Sequence, residues 1–156
     1  MLDIGCGESK KGDIGLDLRR LDAVDIVADA RNLPFRDESF DSVYSSDTIE
    51  HFSHREVGNV VVEWVRVLKK GGMIEIGTCD LRARAFLFFL FPTLKNVEDI
   101  YGGQDYSGNY HKNGFSFGLL RSLLGSCGIK DTKRIIDGYK GVPFIPSCLH
   151  VKGTKV

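Results

Sequence analysis

Short apolar segments recur along this chain, and each ends in a turn that carries glycine or an acidic residue. Five of them have the apolar or alternating pattern of β-strands, at residues 1–4, 13–18, 24–28, 40–45 and 73–77. Before the fifth strand, apolar residues from Val57 to Leu68 recur at helical spacing, and Lys69–Gly72 is predicted to end that helix. Strands that alternate with helices predict an α/β fold built on a mostly parallel sheet.

The second half of the chain has a less regular pattern. Residues 83–94 and 117–127 are predicted helices, and Gly128 is predicted to end the second one. Between them, residues 101–114 are rich in Gly, Asn, Asp and Ser, which is typical of a loop. Two closing strands are predicted at residues 130–137 and 147–152. The sequence contains no repeat, low-complexity tract or linker, so we expect residues 1–156 to form a single domain.

The amino-acid composition limits the classes of function that this chain can have. The chain is 42% hydrophobic and 27% charged, which is typical of a globular protein. Lys plus Arg and Asp plus Glu both number 21, so the formal net charge is zero. Nucleic-acid binders usually carry a basic surplus that neutralises phosphates. The balance therefore favours a small-molecule substrate, and we expect no nucleic-acid partner.

The cysteines, the N-terminus and the longest apolar stretch predict the cellular compartment of the protein. The four cysteines are widely spaced and form no Cys/His cluster, which indicates reduced thiols and no metal site. The N-terminus lacks the basic start and long apolar core of a signal peptide. The apolar stretch at residues 85–91 is far shorter than the roughly 20 residues of a membrane span. We therefore expect a cytoplasmic protein without a membrane span.

The first predicted strand ends in a tight glycine turn, Gly5-Cys6-Gly7. Since glycine lacks a Cβ atom, such a turn lets the backbone approach a ligand closely. A dinucleotide-binding loop would carry a third glycine where Lys10 stands, and an acidic residue about twenty positions later. Asp17 instead follows Gly7 by ten residues, and no Gly-Lys-Ser/Thr sequence occurs here. A nucleotide-binding oxidoreductase is therefore disfavoured.

A set of four ordered motifs narrows the interpretation. They are LDIGCG at 2–7, GLDL at 15–18, ADARNLPFRDESFDSVYSSDTIEHF at 28–52 and VLKKGGMIEIG at 67–77. In this order they resemble the class I S-adenosylmethionine-dependent methyltransferases, most of all the small type 11 group. The resemblance implies a Rossmann-like methyltransferase sheet with an antiparallel closing strand. It also implies S-adenosyl-L-methionine as the cofactor and methyl transfer, to a small-molecule acceptor, as the activity.

The resemblance also assigns binding residues. The glycine turn would line the methionine part, Asp17 would accept both ribose hydroxyls, and Asp29 would accept the exocyclic amine of adenine. Asp17 and Asp29 are alternatively ordinary strand-ending residues, and Asp3 alternatively holds the glycine loop by hydrogen bonds. The residues implied to bind the cofactor are Asp3, Gly5, Cys6, Gly7, Asp17, Leu18, Asp29, Ala30, Leu33 and Ser46.

The sequence departs from the family pattern in its first half. About eight residues separate the first two predicted strands, fewer than the dozen that a helical crossover requires. The N-terminal helices are therefore predicted to be shortened to turns. The cofactor pocket is expected to be open, and it could borrow a wall from another subunit of a homodimer.

Three polar residues are candidates for contact with an acceptor. His111, in the polar loop, suits a general base because histidine titrates near neutrality, although it could equally be a surface histidine. His51 is interpreted mainly as a structural residue of its loop, and Asp80 mainly as a helix N-cap. The apolar residues Phe86 to Phe91 are expected to be buried core or a dimer face, with a lid that recognises an apolar substrate as the alternative. The alternative function is a non-catalytic binding or subunit-interaction module with the same fold.

Overall fold

The computed structural model describes residues 1–135 and 148–156, and its seven strands form one sheet in the order β3-β2-β1-β4-β5-β7-β6. The strands are β1 (Leu2–Ile4), β2 (Ile14–Asp17), β3 (Ile26–Val27), β4 (Phe40–Ser46), β5 (Leu68–Cys79), β6 (Ile129–Ile135) and β7 (Cys148–Lys155). The helices are α1 (Val57–Val67), α2 (Leu81–Leu90), α3 (Leu94–Tyr101) and α4 (Phe117–Ser126), with one 3₁₀ turn at Ile49–His51.

The predicted α/β fold is confirmed. Strands β1 to β5 pair in parallel, and β7 runs antiparallel to both β5 and β6. The predicted shortening of the N-terminal helices is also confirmed, because residues 5–13, 18–25 and 28–39 contain no helix. The first strands are therefore joined by turns alone.

The apolar core lies on one face of the sheet. Alternation along β5 directs Ile74 and Ile76 to this face, where Trp64 of α1 and Leu120 of α4 are also fully buried. Helices α1 and α4 therefore cover the same side of the sheet. The burial of their apolar side chains is the main favourable contribution to folding.

The opposite face of the sheet is polar. Asp3, Tyr44, Glu75 and Lys152 are paired neighbours in one row across β1, β4, β5 and β7. Lys11, from the loop after β1, donates a 2.8 Å hydrogen bond to the Tyr44 hydroxyl, and its ammonium lies 4.5 Å from the centre of the ring. The β1–β2 loop thus packs against this face in place of a helix.

Side chains of α1 hold the segment between β3 and β4. The Trp64 indole donates a 2.9 Å hydrogen bond to the carbonyl of Ala30, and Oε1 of Glu63 accepts one of 2.7 Å from the Leu33 amide. Arg66 donates to the carbonyls of Leu33 and Phe35. These bonds satisfy backbone groups that a helix would otherwise satisfy internally.

The predicted end of helix α1 is confirmed to within one residue, but the predicted start of β5 at Met73 was wrong. The helix ends at Val67 and β5 begins at Leu68, so Lys69–Gly72 belongs to the strand. Leu68 already pairs with Phe40, whereas Met73 pairs with Ser42. Three more residues therefore lie on β5 than on β4 between these pairs, and Gly71, with φ of +72°, relieves this bulge. Strand pairing overrides the glycine cap that the local sequence favours.

The predicted helix at residues 83–94 corresponds to α2, which ends at Leu90, whereas α3, which begins at Leu94, was not predicted. Pro92, which has no amide hydrogen, lies between α2 and α3. The expectation that residues 86–91 are buried core was wrong, because only Leu87 of that run is buried and Phe89 is 80% exposed. No helix in the described ranges is long and apolar enough to cross a membrane.

Both closing strands are confirmed within the described residues. Strand β6 covers residues 129–135, and residues 136 and 137 of the prediction lie outside the described ranges. Strand β7 covers residues 148–155, and residue 147 lies outside them. Helix α4 ends before Gly128, whose φ of +87° is the left-handed conformation expected of a glycine that ends a helix.

Candidate functional site

A cavity of about 240 Å³ opens at the carboxyl ends of β1, β2, β3 and β4. Ligands of open parallel sheets bind at this edge, because the loops that follow the strands converge there. The lining residues are Gly5, Leu16, Asp17, Leu18, Arg19, Ala28, Asp29, Ala30, Arg31, Asp47, Thr48, His51, Phe52, Glu56, Tyr106, Ser107, Gly108 and Lys112.

Gly5 forms the bend between β1 and the cavity. Its φ is +73°, and a Cβ atom at this position would lie 2.0 Å from Oγ1 of Thr48. The Gly5 amide donates a 2.7 Å hydrogen bond to the carbonyl of Leu16, which ties the bend to β2. Only glycine fits here, because any larger residue would be strained in its backbone and would overlap Thr48.

Asp17 lies at the end of β2, on the wall of the cavity. Its Oδ2 accepts a 3.0 Å hydrogen bond from the Gly7 amide, and its Oδ1 accepts one of 2.8 Å from the Arg19 amide. The Arg19 guanidinium lies 3.5 Å from the same Oδ1. Each carboxylate oxygen has two lone-pair sites, so Asp17 retains acceptor capacity toward the cavity. A ligand with two adjacent hydroxyl groups could donate a hydrogen bond to each of these free acceptor sites.

Asp29 follows β3 and lines the same cavity. Its carboxylate forms a bidentate ion pair with Arg31, whose terminal nitrogen lies 2.6 Å from Oδ2. This pairing holds the pKa of Asp29 below its usual value. Next to it, the backbone of Ala30 is fixed by the Trp64 hydrogen bond described above. A donor group on a ligand would therefore share the Asp29 carboxylate with Arg31.

A second cavity, of about 370 Å³, lies on the polar face of the sheet and shares Gly5 and Asp47 with the first. Asp3, Cys6 and Ser46 line it. Asp3 is 2% exposed, its Oδ2 accepts a 2.6 Å hydrogen bond from the Lys11 amide, and burial raises its pKa. Asp3 therefore holds the glycine loop, which was one of its two interpretations, and it also faces a ligand-sized space.

The structure brings together eight of the ten residues assigned from the resemblance. Gly5, Asp17, Leu18, Asp29 and Ala30 line the first cavity. Asp3, Cys6 and Ser46 line the second, which also includes Gly5.

Two of the assigned residues line neither cavity. Gly7 acts through its hydrogen bond to Asp17. Leu33 is 4% exposed within the apolar core, and its contribution is its backbone, which α1 holds.

The two histidines of the rim differ in position. His51 lines the first cavity, whereas His111 is half-buried behind it, and their rings meet edge to face with centres 5.2 Å apart. Nδ1 of His51 lies 3.1 Å from the Tyr110 carbonyl, and Nδ1 of His111 lies 3.2 Å from the Ile100 carbonyl. Burial, with a smaller effect of His51, lowers the pKa of His111.

The segment after α3 closes the far side of the first cavity. Tyr106, Ser107, Gly108 and Lys112 line it, and the Arg19 guanidinium lies 4.4 Å from the centre of the Tyr106 ring. The sequence did not identify Arg19, Thr48 or Lys112 as lining residues. No local pattern marks these residues, because loop contacts bring them to the rim.

Glu50 is a buried carboxyl group next to this site. It is 1% exposed, and burial, with a smaller contribution from the charge of Asp47, raises its pKa to about 7. Its carboxylate lies beside Thr78 and Cys79, but neither oxygen has a hydrogen bond of ordinary geometry within the described part of the chain. Glu50 therefore titrates near neutral pH.

Asp80 has the role of a helix N-cap. Its Oδ1 accepts hydrogen bonds from the amides of Arg82 and Ala83 at the start of α2, and Oδ2 accepts one of 3.1 Å from Arg134. Among residues 1–135 and 148–156, no group of three His, Cys, Asp or Glu side chains is arranged to hold a metal ion.

Comparison with known proteins identifies relatives of part of the chain. Residues 11–76 match the family described as "Methyltransferase domain". The "Probable tRNA methyltransferase 9B" of Mus musculus is 36% identical over 102 residues, covering 54% of this chain and 23% of that protein. "Methyltransferase GfsG" of Streptomyces halstedii is 34% identical over 82 residues, covering 47% and 29%. The chain thus spans about a quarter of the length of these curated relatives.

Solved structures share the fold over nearly the whole chain. A S-adenosylmethionine-dependent methyltransferase of Thermotoga maritima, described as a possible histamine N-methyltransferase, has a TM-score of 0.69 at 22% identity, covering 99% of this chain and 81% of that chain. The 1,6-didemethyltoxoflavin-N1-methyltransferase of Burkholderia thailandensis has a TM-score of 0.64 at 13% identity, covering 99% and 69%. That structure holds 1,6-didemethyltoxoflavin and S-adenosylhomocysteine.

Proposed function

We propose that this chain is an S-adenosylmethionine-dependent methyltransferase, which binds S-adenosylmethionine at the carboxyl ends of β1, β2 and β3 and transfers its methyl group to a small molecule. The match of residues 11–76 to the methyltransferase-domain family and the shared fold support this proposal. One observation carries the proposal: Gly5, Asp17 and Asp29, delivered by three neighbouring strands, line a single cavity. In the dinucleotide-binding alternative, the glycine loop and the acidic residue would have a different spacing.

The residues present fit the cofactor. Asp17 has free acceptor sites for the two ribose hydroxyls, and the Gly5 bend leaves backbone exposed where a side chain would block it. Asp29 and the backbone of Ala30 would hold the adenine. The amino-acid end would lie toward Asp3, Cys6 and the second cavity, because Gly5 and Asp47 line both spaces.

When bound, S-adenosylmethionine supplies a methyl carbon that its sulfonium already activates. The chain's own residues would then act mainly by position, because holding two reactants in line removes much of the entropic barrier. Tyr106 and Ser107 lie across the cavity from β2 and would exclude water from the reacting atoms. His111, the residue assigned as a base from the sequence, would contribute from behind His51.

A small-molecule acceptor is favoured over RNA by the charge of the chain. The formal net charge is zero, and two of the three cations of the cavity wall, Arg19 and Arg31, are paired with Asp17 and Asp29, the third being Lys112. Phosphate recognition requires a surplus of unpaired Lys and Arg. Curated relatives include proteins named as tRNA methyltransferases, so tRNA is the acceptor class to be compared directly.

Transfer of tritium from methyl-labelled S-adenosylmethionine tests this proposal. The protein would be incubated with a small-metabolite extract, with total tRNA, or with buffer, and Asp17→Ala would serve as the inactive control. Label in the small-molecule fraction supports the proposal, and label in tRNA would overturn the acceptor class. Binding of S-adenosylmethionine without any transfer would favour the alternative, a non-catalytic module with this fold.

A homodimer is proposed through the exposed aromatic surface of α2. Phe86, Phe89 and Phe91 are 50%, 80% and 58% exposed, and monomeric proteins rarely expose contiguous apolar patches of large size. A second copy would bury this face. Sedimentation velocity should then show a dimer for the wild type and a monomer for the double variant Phe89→Ser, Phe91→Ser. A wild-type monomer at all accessible concentrations would exclude the dimer.

A further inference from the structure

The further inference concerns His51 and rests on the proposed function. Among the described residues, the first cavity is lined by one imidazole, and this ring has a hydrogen bond at Nδ1 and none at Nε2 to residues 1–135 or 148–156. We infer that His51 is the general base of methyl transfer, accepting through Nε2 the proton of an O–H or N–H acceptor, and that His111 is its positioning residue.

His51 lies on the same side of the cavity as the Gly5 bend. The Gly5 bend packs directly against Thr48, and the His51 amide donates a 3.1 Å hydrogen bond to the Thr48 carbonyl, one 3₁₀ turn earlier. Residues three apart in such a turn lie on the same side. His51 therefore extends the wall that starts at Gly5, on the β4 side of the cavity.

The methyl carbon that reacts would lie between the two ends of the cofactor. The adenosine end is assigned to the wall of Asp17 and Asp29, and the amino-acid end to the space beyond Gly5. The sulfonium would join these two ends, so it would lie beside Gly5 and Asp47, which line both cavities, on the β4 wall. His51 belongs to that wall, and the loop that carries Tyr106 stands opposite and would hold the acceptor.

The hydrogen bond of the His51 ring determines which of its nitrogens carries the proton. The carbonyl of Tyr110, 3.1 Å from Nδ1, can only accept a hydrogen bond, so Nδ1 must carry the proton. In the neutral ring Nε2 then has a free lone pair, which is the form that a general base requires. The same reasoning places the proton of His111 on Nδ1, beside the Ile100 carbonyl.

The reaction balances with His51 as the base. The acceptor's lone pair forms the new bond to the methyl carbon, while the carbon–sulfur bond breaks and its electron pair goes to sulfur. The proton of the acceptor O–H or N–H passes to Nε2 of His51, and the imidazolium later releases it to water. His111 packs edge-on against the ring and fixes its plane. An acceptor without a proton to lose would not need this residue.

Several charged groups surround His51. Those on the cavity wall are Asp17, Arg19, Asp29, Arg31, Asp47, Glu56 and Lys112, and His111 lies on the other side of the ring. Any pH dependence must therefore be read from the resonance of His51 itself. The chain contains four histidines, so each signal can be assigned by one His→Gln variant.

The inference can be tested without knowing the acceptor. Long-range ¹H–¹⁵N NMR of the imidazoles would be recorded with S-adenosylhomocysteine, and with sinefungin, which carries an ammonium where the methyl group would be. We expect His51 to be Nδ1-protonated when neutral. We expect the pH midpoint of its titration to lie at least about one unit lower with sinefungin, because two like charges repel across a short distance. His54, which is exposed, serves as the internal control.

Equal His51 midpoints in the two complexes, or an Nε2-protonated neutral ring, would overturn the inference. If neither ligand shifted the backbone amides of Gly5 and Asp17, the proposed cofactor site itself would be wrong, and the inference with it. The positioning role of His111 is tested by His111→Phe, which keeps a ring at this position. We expect the Nδ1-protonated form of His51 to persist in His111→Phe and to be lost to mixed tautomers in His111→Ala. Persistence in both variants would contradict that role.

Discussion

The amide of Gly7 donates a 3.0 Å hydrogen bond to the carboxylate of Asp17. This contact joins the glycine loop after β1 to the acidic residue that ends β2, although no helix lies between the two strands. In place of the usual helical crossover, the carboxylates of Asp3, Asp17 and Asp25 accept hydrogen bonds from backbone amides of the β1–β2 loop and of β2. The geometry of the cavity therefore depends on carboxylates that also act as scaffold.

The Gly5 bend should tolerate no side chain. We predict that Gly5→Ala destabilises the protein by about 2–4 kcal/mol and abolishes cofactor binding, because the new Cβ meets Thr48 and φ is +73°. Urea unfolding measures this. Gly58→Ala in α1, where nothing lies within 4 Å of the new Cβ, is the matched control and should stabilise by about 0.5–1 kcal/mol. Similar unfolding free energies for the two variants would contradict the assigned role of the bend.

Trp64 should link the apolar core to Ala30, on the side of the cavity that is proposed to hold adenine. We predict that Trp64→Phe costs about 2–3 kcal/mol of unfolding free energy, since it leaves the Ala30 carbonyl without its donor and removes buried volume. The same variant should weaken S-adenosylhomocysteine binding severalfold, because Ala30 lines the cavity. Val62→Ala, on the exposed side of the same helix, is the control for both measurements. If Trp64→Phe destabilised the protein but left the affinity for S-adenosylhomocysteine unchanged, the predicted link between the apolar core and the cavity would be wrong.

The two acidic residues of the cavity should contribute unequally. Asp29 already pairs with Arg31, so a ligand amine gains only a share of its carboxylate. We predict that Asp29→Ala weakens S-adenosylhomocysteine binding about fivefold, the value of one ordinary hydrogen bond. Asp17→Ala should weaken it far more. Equal losses in a titration of the two variants would show that the Arg31 pair does not compete with the ligand.

Glu50 should make stability fall as pH rises. Its pKa is raised from 4.5 to about 7 in the folded protein, so the folded state binds a proton that the unfolded state has lost. This contribution is complete below about pH 4.5 and is lost as pH rises through about 7, a change of about 3 kcal/mol. Relative to wild type, Glu50→Gln should be increasingly more stable from pH 5 to pH 8 in urea unfolding. The exposed Glu8→Gln is the control, and parallel pH profiles for wild type and Glu50→Gln would refute this prediction.

Local sequence was sufficient for the strands that form the site. The apolar segments that end at Ile4 and Asp17 were identified because each strand ends in a glycine or an acidic residue, and such endings do not depend on distant partners. The start of β5 was missed because it is set by pairing of Leu68 with Phe40, which lies 28 residues earlier. Tertiary pairing overrode the local glycine signal.

The position of His51 could not be read from the sequence for a similar reason. Its place on the cavity wall depends on a distant segment, in which the Lys112 amide donates a 2.8 Å hydrogen bond to the Glu50 carbonyl and the Tyr110 carbonyl accepts from the ring. Sequence spacing indicates only that His51 follows a strand. His111 was the more visible candidate because it lies in a polar loop, yet it sits behind His51, which lines the cavity.

The convergence of Gly5, Asp17 and Asp29 on one adenosyl ligand is tested most directly by calorimetric titration with S-adenosylhomocysteine. Wild type should bind one equivalent and give no heat with NAD. Asp17→Ala should weaken binding by about 100-fold or more, since it removes charge-assisted hydrogen bonds to two hydroxyls. Asp22→Ala, an exposed acid in the next loop, should change the affinity less than about twofold. Absence of binding by the wild type, or an unchanged affinity in Asp17→Ala, would contradict the account.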